Sequence, residues 1–190
     1  MISYQVRKGK EIVPYIDELA RLRIEVFREF PYLYDGNFDY EKKYLAKFGE
    51  IDESIVILVL ENQEVIGALT GLPIKNESKE ITQNLTKKQL EKGFYLSEIL
   101  LYKDFRQQGI GQALMNQLET SVNKPFTLFL LATVIREENH PLKPKDYASL
   151  EHFWIKNNYV STNQTFSFSW KDIHNESETT KSLVLWQKEI

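Results

Sequence analysis

The residues of this chain best suited to chemistry are an arginine and two glycines at fixed spacing. Arg106, Gly109 and Gly111 open the stretch "FRQQGIGQALMNQLE" (residues 105–119), directly after an apolar run. The first N–H groups of a helix lack internal partners, and the aligned peptide dipoles leave partial positive charge there, so an anion is favoured. Glycine lets phosphate oxygens approach such N–H groups, and a nearby guanidinium adds charge-assisted hydrogen bonds of ~1.5–3 kcal/mol each. A diphosphate fits this description. The same glycines would also suit close packing of the helix on a sheet, and the pair alone leaves both readings open.

Two nucleotide-binding patterns fail here. A P-loop needs Lys-Ser or Lys-Thr after its second glycine, where this chain has Gln112-Ala113. A dinucleotide fingerprint needs a third glycine and an acidic residue ending the next strand, where this chain has Leu114 and "LLATVI". What remains is Arg-x-x-Gly-x-Gly between a strand and a helix.

The elements that must position this segment follow from hydrophobic periodicity. Ile16, Leu19, Ala20, Ile24 and Phe27 fall near one face of a helix predicted from about Val13 to Phe30, and a short helix to Phe48 follows an Asp-Gly turn. Strands are predicted at residues 54–60 and 64–74, then a short helix at 87–92, then the strand "FYLSEILLY". After the glycine helix, "PFTLFLLATVI" reads as a strand buried on both faces. A helix in "SLEHFWIKNN" and strands at 164–170 and 182–189 complete a mixed α/β sheet with helices on its faces. The last stretch, "SLVLWQKEI", is read as an edge strand that offers a homodimer contact.

At 190 residues and 42% hydrophobic content the chain suits one domain, residues 1–190. Its 24 basic and 27 acidic residues are interspersed, which argues against a nucleic-acid partner. The absence of cysteine removes thiolate nucleophiles and sulfur-ligated zinc. With no His-x-x-x-His spacing either, no metal is expected. The first residues lack an apolar signal core and nothing is long enough to span a bilayer, so the chain is read as cytoplasmic, with no membrane partner.

The segment Arg106-Gln107-Gln108-Gly109-Ile110-Gly111 resembles the signature of the GNAT superfamily, acyl-CoA-dependent N-acetyltransferases that write Gln/Arg-x-x-Gly-x-Gly/Ala at a strand-to-helix junction. The preceding "SEILLYKDFR" and the order of elements resemble that family too, as does "LEHFWIKNNYVS". In this last segment the family's Tyr-x-Lys-x-Gly-Phe becomes Trp154, Lys156, Asn158 and Tyr159. The resemblance implies a mostly antiparallel central sheet of about seven strands, flanked by helices and splayed between its two central strands. It implies acetyl-CoA as acyl donor, its pyrophosphate on the backbone of Gln107, Gln108, Gly109, Ile110, Gly111 and Gln112 with Arg106 close by. Its pantetheine arm would pair with the strand at Leu100, Leu101 and Tyr102, and Asn139 would stand in for an asparagine that touches the coenzyme.

The acceptor implied is a primary amine of a small molecule or peptide, attacking directly in a ternary complex. An ammonium of pKa ~10.4 must lose its proton, which at pH 7 costs about 4–5 kcal/mol, so a base or water relay is required; the resemblance places Glu98 there. The thiol leaving group, of pKa ~8.5, needs only about 2 kcal/mol of help. Trp154 stands where the family keeps a tyrosine acid, and an indole N–H is no acid. Tyr147, with Tyr102 and Tyr159 as weaker choices, is the expected substitute. That replacement also supports a second reading, a non-catalytic acyl-CoA-binding sensor or assembly module. Asp35, Asp39 and Glu41, in the aromatic segment 27–41, are candidates to attract a cationic acceptor or else form a solvated acidic face.

Overall fold

The computed structural model describes residues 1–190. One seven-stranded sheet runs through the molecule in the order β1-β2-β3-β4-β5-β7-β6. Its strands are β1 (Ile2–Lys8), β2 (Ile55–Glu61), β3 (Glu64–Pro73), β4 (Gly93–Leu101), β5 (Leu128–Val134), β6 (Val160–Lys171) and β7 (Glu178–Glu189). All neighbouring pairs are antiparallel except β4 and β5. The helices are α1 (Ile16–Phe27), α2 (Phe38–Glu50), α3 (Lys79–Thr82), α4 (Lys87–Lys92), α5 (Ile110–Ser121) and α6 (Glu151–Lys156). None is long and apolar enough to cross a membrane.

The period of two along a strand divides the core into two layers. In β2, Ile55, Ile57 and Val59 belong to the layer containing Ile110, Leu114, Met115 and Leu118 of α5 and Trp154 of α6. Val56, Leu58 and Leu60 pack with Leu19, Leu22, Leu45 and Phe48 of α1 and α2 on the other face. Burial on both faces explains why β2 is an unbroken apolar run, each such side chain contributing ~1.5–3 kcal/mol.

Three expectations are corrected. The first helix begins at Ile16, because Gly9–Tyr15, with Pro14 inside it, forms a 3-10 turn instead. The segment ISYQVRK, not assigned to any element above, is β1; Ile2, Tyr4 and Val6 alternate onto the α5 side of the core. Finally, from Leu183 onward β7 lies between β5 and β6, so "SLVLWQKEI" is an interior strand and provides no edge for a second chain. The sheet ends instead at β1 and β6.

Candidate active site

The two central strands diverge. Gly93–Tyr95 pairs in parallel with Leu128–Leu130, and beyond that β4 and β5 share no ladder. Downstream of the split, β4 carries a bulge at Ser97, since Thr70 pairs with Glu98 and Gly71 with Leu96. The extra residue turns Glu98 and Leu100 toward α1 and α2, leaving Ile99 and Leu101 on the α5 face. From Leu96 to its end β4 thus has no strand partner on its β5 side, and the chain then runs on to the start of α5.

There the backbone turns twice through positive φ, at Gln107 (61°) and Gly109 (80°), before α5 begins at Ile110. No backbone N–H from Gln107 to Gln112 has a hydrogen-bond partner in the chain. Six consecutive donors are therefore free at a helix N-terminus, a place that favours phosphate. The two glycines do different things. A Cβ on Gly109 would meet nothing within 4 Å, so this residue leaves the space open. A Cβ on Gly111 would meet Phe153 of α6 at 3.4 Å, so this residue admits a neighbouring ring. Neither glycine is pressed against the sheet: Gly109 borders open space, and the neighbour of Gly111 is a ring of α6 at ordinary contact distance.

Three side chains of the segment bond back to the chain. Arg106 donates through Nη1 and Nη2 to the two carboxylate oxygens of Glu29, at 2.7 and 2.8 Å, and through Nε to Leu101 O at 3.0 Å. Gln108 donates to Asp104 O and Gln112 to Asn157 Oδ1, the latter joining α5 to α6. Ile110 and Leu100 are buried, and Tyr102 is half-buried with its N–H on Ile66 O. Burial, with a smaller push from Glu25, raises the Tyr102 phenol above its usual value.

Glu98 sits in a buried charge cluster absent from the sequence reading. Arg23 of α1 lies between Glu41 of α2 and Glu98, contacting both through its guanidinium. Tyr34 donates to Glu41 at 2.6 Å, and Thr70 donates to Glu98 Oε2 at 3.4 Å. Burial and the hydrogen bond to Glu41 raise the Tyr34 phenol. The Arg23 guanidinium also stacks on Tyr44, 4.2 Å from its centroid. Two carboxylates share one guanidinium here, all three side chains being less than a tenth exposed.

Tyr147 stands edge-on to Phe30 at 4.7 Å, and burial, then the charge of Glu151, raises its phenol. Such a phenol stays protonated and serves better as a hydrogen-bond donor than as an acid. Asn139 is exposed in the loop after β5, and its side chain makes no hydrogen bond within the chain. Trp154 and Tyr159 pack against each other, and Trp154 Nε1 and Tyr159 Oη are buried without partners.

The carboxylates expected to attract an acceptor are largely committed. Asp35 pairs with Lys171 at 2.9 Å and Glu41 with Arg23; Asp39 alone is exposed, in the first turn of α2. The segment 28–36 is held by residues with no local sequence signal. Arg136 donates to Pro31 O and Tyr32 O, each at 2.7 Å, and grips both oxygens of Asp172. Lys181, its side chain 3% exposed, also pairs with Asp172. Burial pushes the Asp172 carboxyl up, but the hydrogen bonds from Arg136 and Lys181 together hold it below the usual carboxylate range.

A family model described as the acetyltransferase (GNAT) family matches residues 18–144. No curated protein matches the sequence. Among solved structures, a ribosomal-protein-alanine N-acetyltransferase from Brucella melitensis is similar over 98% of this chain and 99% of its own, with TM-score 0.61 and 10% identity. An N-acetyltransferase from Staphylococcus aureus covers 98% of both chains at TM-score 0.61 and 11% identity. A GNAT acetyltransferase from Elizabethkingia anophelis, solved with acetyl-CoA bound, covers 100% of this chain and 98% of its own at TM-score 0.52 and 16% identity. At such identities the structures speak for the fold, while the family model spans two thirds of the sequence, including the split strand and its glycine loop. The chain belongs to the GNAT family of acetyltransferases.

Proposed function

We propose that residues 1–190 act as one N-acetyltransferase domain, moving an acetyl group from acetyl-CoA to a primary amine of a small molecule or peptide by direct attack in a ternary complex. The observation that carries this reading is the row of six unpartnered N–H groups from Gln107 to Gln112 beside the open space at Gly109. Bound acetyl-CoA would supply the thioester, whose C–S bond breaks as the amine nitrogen bonds to the carbonyl carbon; the nitrogen gives up a proton and the sulfur leaves as a thiolate.

The chain's own residues then have defined tasks. Residues 107–112 hold the diphosphate, and the edge of β4 at Leu100, Leu101 and Tyr102, which no β5 ladder covers although Leu101 O holds Arg106, orients the pantetheine arm. Asn139 lies in the loop that would border it. One oxygen of Glu98 faces Arg23, so the acceptor's proton passes by way of water to the other, Oε2, where Thr70 makes only a long contact. Tyr147 steadies the departing sulfur by donating a hydrogen bond.

The hold of Arg23 on Glu98 favours one competing reading, a domain that binds acyl-CoA without turnover. A calorimetric titration with acetyl-CoA, followed by a thiol-release assay over a panel of primary amines, separates the two. The proposal expects binding together with release for at least one amine. Binding with no release for any amine favours the binding module, and no binding removes both readings.

A further inference from the structure

Arg106 is the one fixed residue of the glycine motif with a charged side chain, and it does not point at the space it is expected to serve. All three of its donor-bearing nitrogens are engaged, two by Glu29 and one by Leu101 O. The pair with Glu29 is two-pronged, the strongest geometry available to a guanidinium and a carboxylate. It also joins distant parts of the chain, since Glu29 lies just beyond α1 and Arg106 just beyond β4.

Glu29 is presented from a fixed turn. Its carbonyl accepts from Leu33 N at 2.9 Å, and the next carbonyls, of Pro31 and Tyr32, are held by Arg136. The carboxylate therefore meets Arg106 from an anchored backbone. Arg106 immediately precedes the first free N–H of the loop, so a released guanidinium would be within side-chain reach of any diphosphate bound there.

We propose that Glu29 is a positioning residue for the coenzyme: by gripping both terminal nitrogens of Arg106, it withholds that guanidinium from the diphosphate and limits how tightly the coenzyme is held. The proposal rests on the assignment of residues 107–112 as the diphosphate loop. Six main-chain N–H groups suffice to seat the anion there. A guanidinium added to them would deepen the site and delay departure of the product CoA, which keeps the same diphosphate. The anchored carboxylate prevents this, and it braces the strand edge at Leu101 through the same arginine.

The test is a calorimetric titration of CoA and of dephospho-CoA, which retains the diphosphate, into the wild type, Glu29→Gln, Glu29→Asp, Arg106→Gln and the Glu29→Gln/Arg106→Gln double variant. Both side chains are more than a third exposed, 41% for Glu29 and 36% for Arg106, so the fold tolerates the amides, as thermal melts will verify. Glu29→Gln should bind both ligands about twofold to fivefold more tightly, the scale of one partly solvated ion pair, and the gain should shrink at about 0.5 M salt. Glu29→Asp keeps the charge and should bind nearer to the wild type than the glutamine variant does. In the Arg106→Gln background, Glu29→Gln should change nothing.

Unchanged or weaker binding by Glu29→Gln overturns the proposal. So does an equal gain in the Arg106→Gln background, which would mean that Glu29 acts only by direct repulsion of the ligand. Failure of the wild type to bind CoA would instead overturn the assignment of the loop itself, a distinct outcome.

Discussion

Between Gln107 and Gln112 the main chain keeps six N–H groups free, whereas between Glu29 and Leu33 the carbonyls of Glu29, Pro31, Tyr32 and Leu33 are all taken. The first loop is built from positive-φ turns and a helix start, features of local backbone. The second is built from tertiary contacts: Arg136, Trp170 Nε1 on Tyr32 O at 3.0 Å, and backbone bonds to Lys171 and Ile173 of the β6–β7 region. The loop expected to seat a shared donor is thus local and open. The one beside the acceptor's expected route is long-range and closed, and ion-pair clusters carry its shape. The chain spends its buried charge on the second loop and its main-chain donors on the first.

That contrast makes its largest prediction at Arg23. Arg23→Met would leave Glu41 and Glu98 buried without a counter-charge, a change that typically costs about 3–5 kcal/mol. Denaturant unfolding would measure it, and a loss under 1 kcal/mol would show that the two carboxylates do not need the guanidinium. Asp172→Asn comes next, at about 2–3 kcal/mol, because Arg136 and Lys181 keep their carbonyl partners when the carboxylate goes. This contribution has a pH signature. The folded Asp172 carboxyl lies below its unfolded value of ~3.9, so its stabilisation is complete above that value and fades as pH falls through the lower folded one. The gap in stability between wild type and Asp172→Asn should therefore shrink only below about pH 4.

The donor loop should answer to much smaller changes, and differently at its two glycines. Gly109→Ala places a Cβ at φ 80°, costing about 1–2 kcal/mol, and should weaken CoA binding by distorting the row of donors. Gly111→Ala meets Phe153 at 3.4 Å and gains about 0.5–1 kcal/mol of helix preference, so its melting temperature should hold or rise. If both variants lose stability equally, the division of labour between open space and ring contact is wrong.

What was legible in the sequence follows the same division. The loop could be read because its determinants are contiguous: a strand, then an arginine and two glycines within six residues, then a helical pattern. The α4 boundaries, Lys87 to Lys92, could be read because Thr86 and Gln89 cap that helix within one turn. The Glu29–Arg106 pair could not, since it spans 77 positions, and neither could Arg136 with Asp172, 36 apart. No periodicity marks which carboxylate a distant guanidinium will find. Strand order was equally hidden: β7 looks like a C-terminal edge until β6 is placed outside it. β1 is a different case, because its Ile2, Tyr4 and Val6 alternate with the period of a half-buried strand, a signal local enough to be read.

The smallest effect sharpens the comparison from the far side of α5. Asn158 sits at φ 65° just past α6, where Tyr159 N bonds Trp154 O and Asn158 N bonds Ile155 O, each at 3.0 Å. These bonds end the helix with a left-handed residue, a place where glycine carries no Cβ penalty. Asparagine tolerates that backbone, so Asn158→Gly should stabilise the fold by only about 0.5–1 kcal/mol. Unlike Gly109, this position owes its positive φ to helix termination alone, with no row of free donors beside it. The variant should therefore raise the melting temperature slightly and leave the CoA dissociation constant where it was. A shift in CoA affinity would mean that the end of α6, through Asn157 and Gln112, helps to set the geometry of the donor loop.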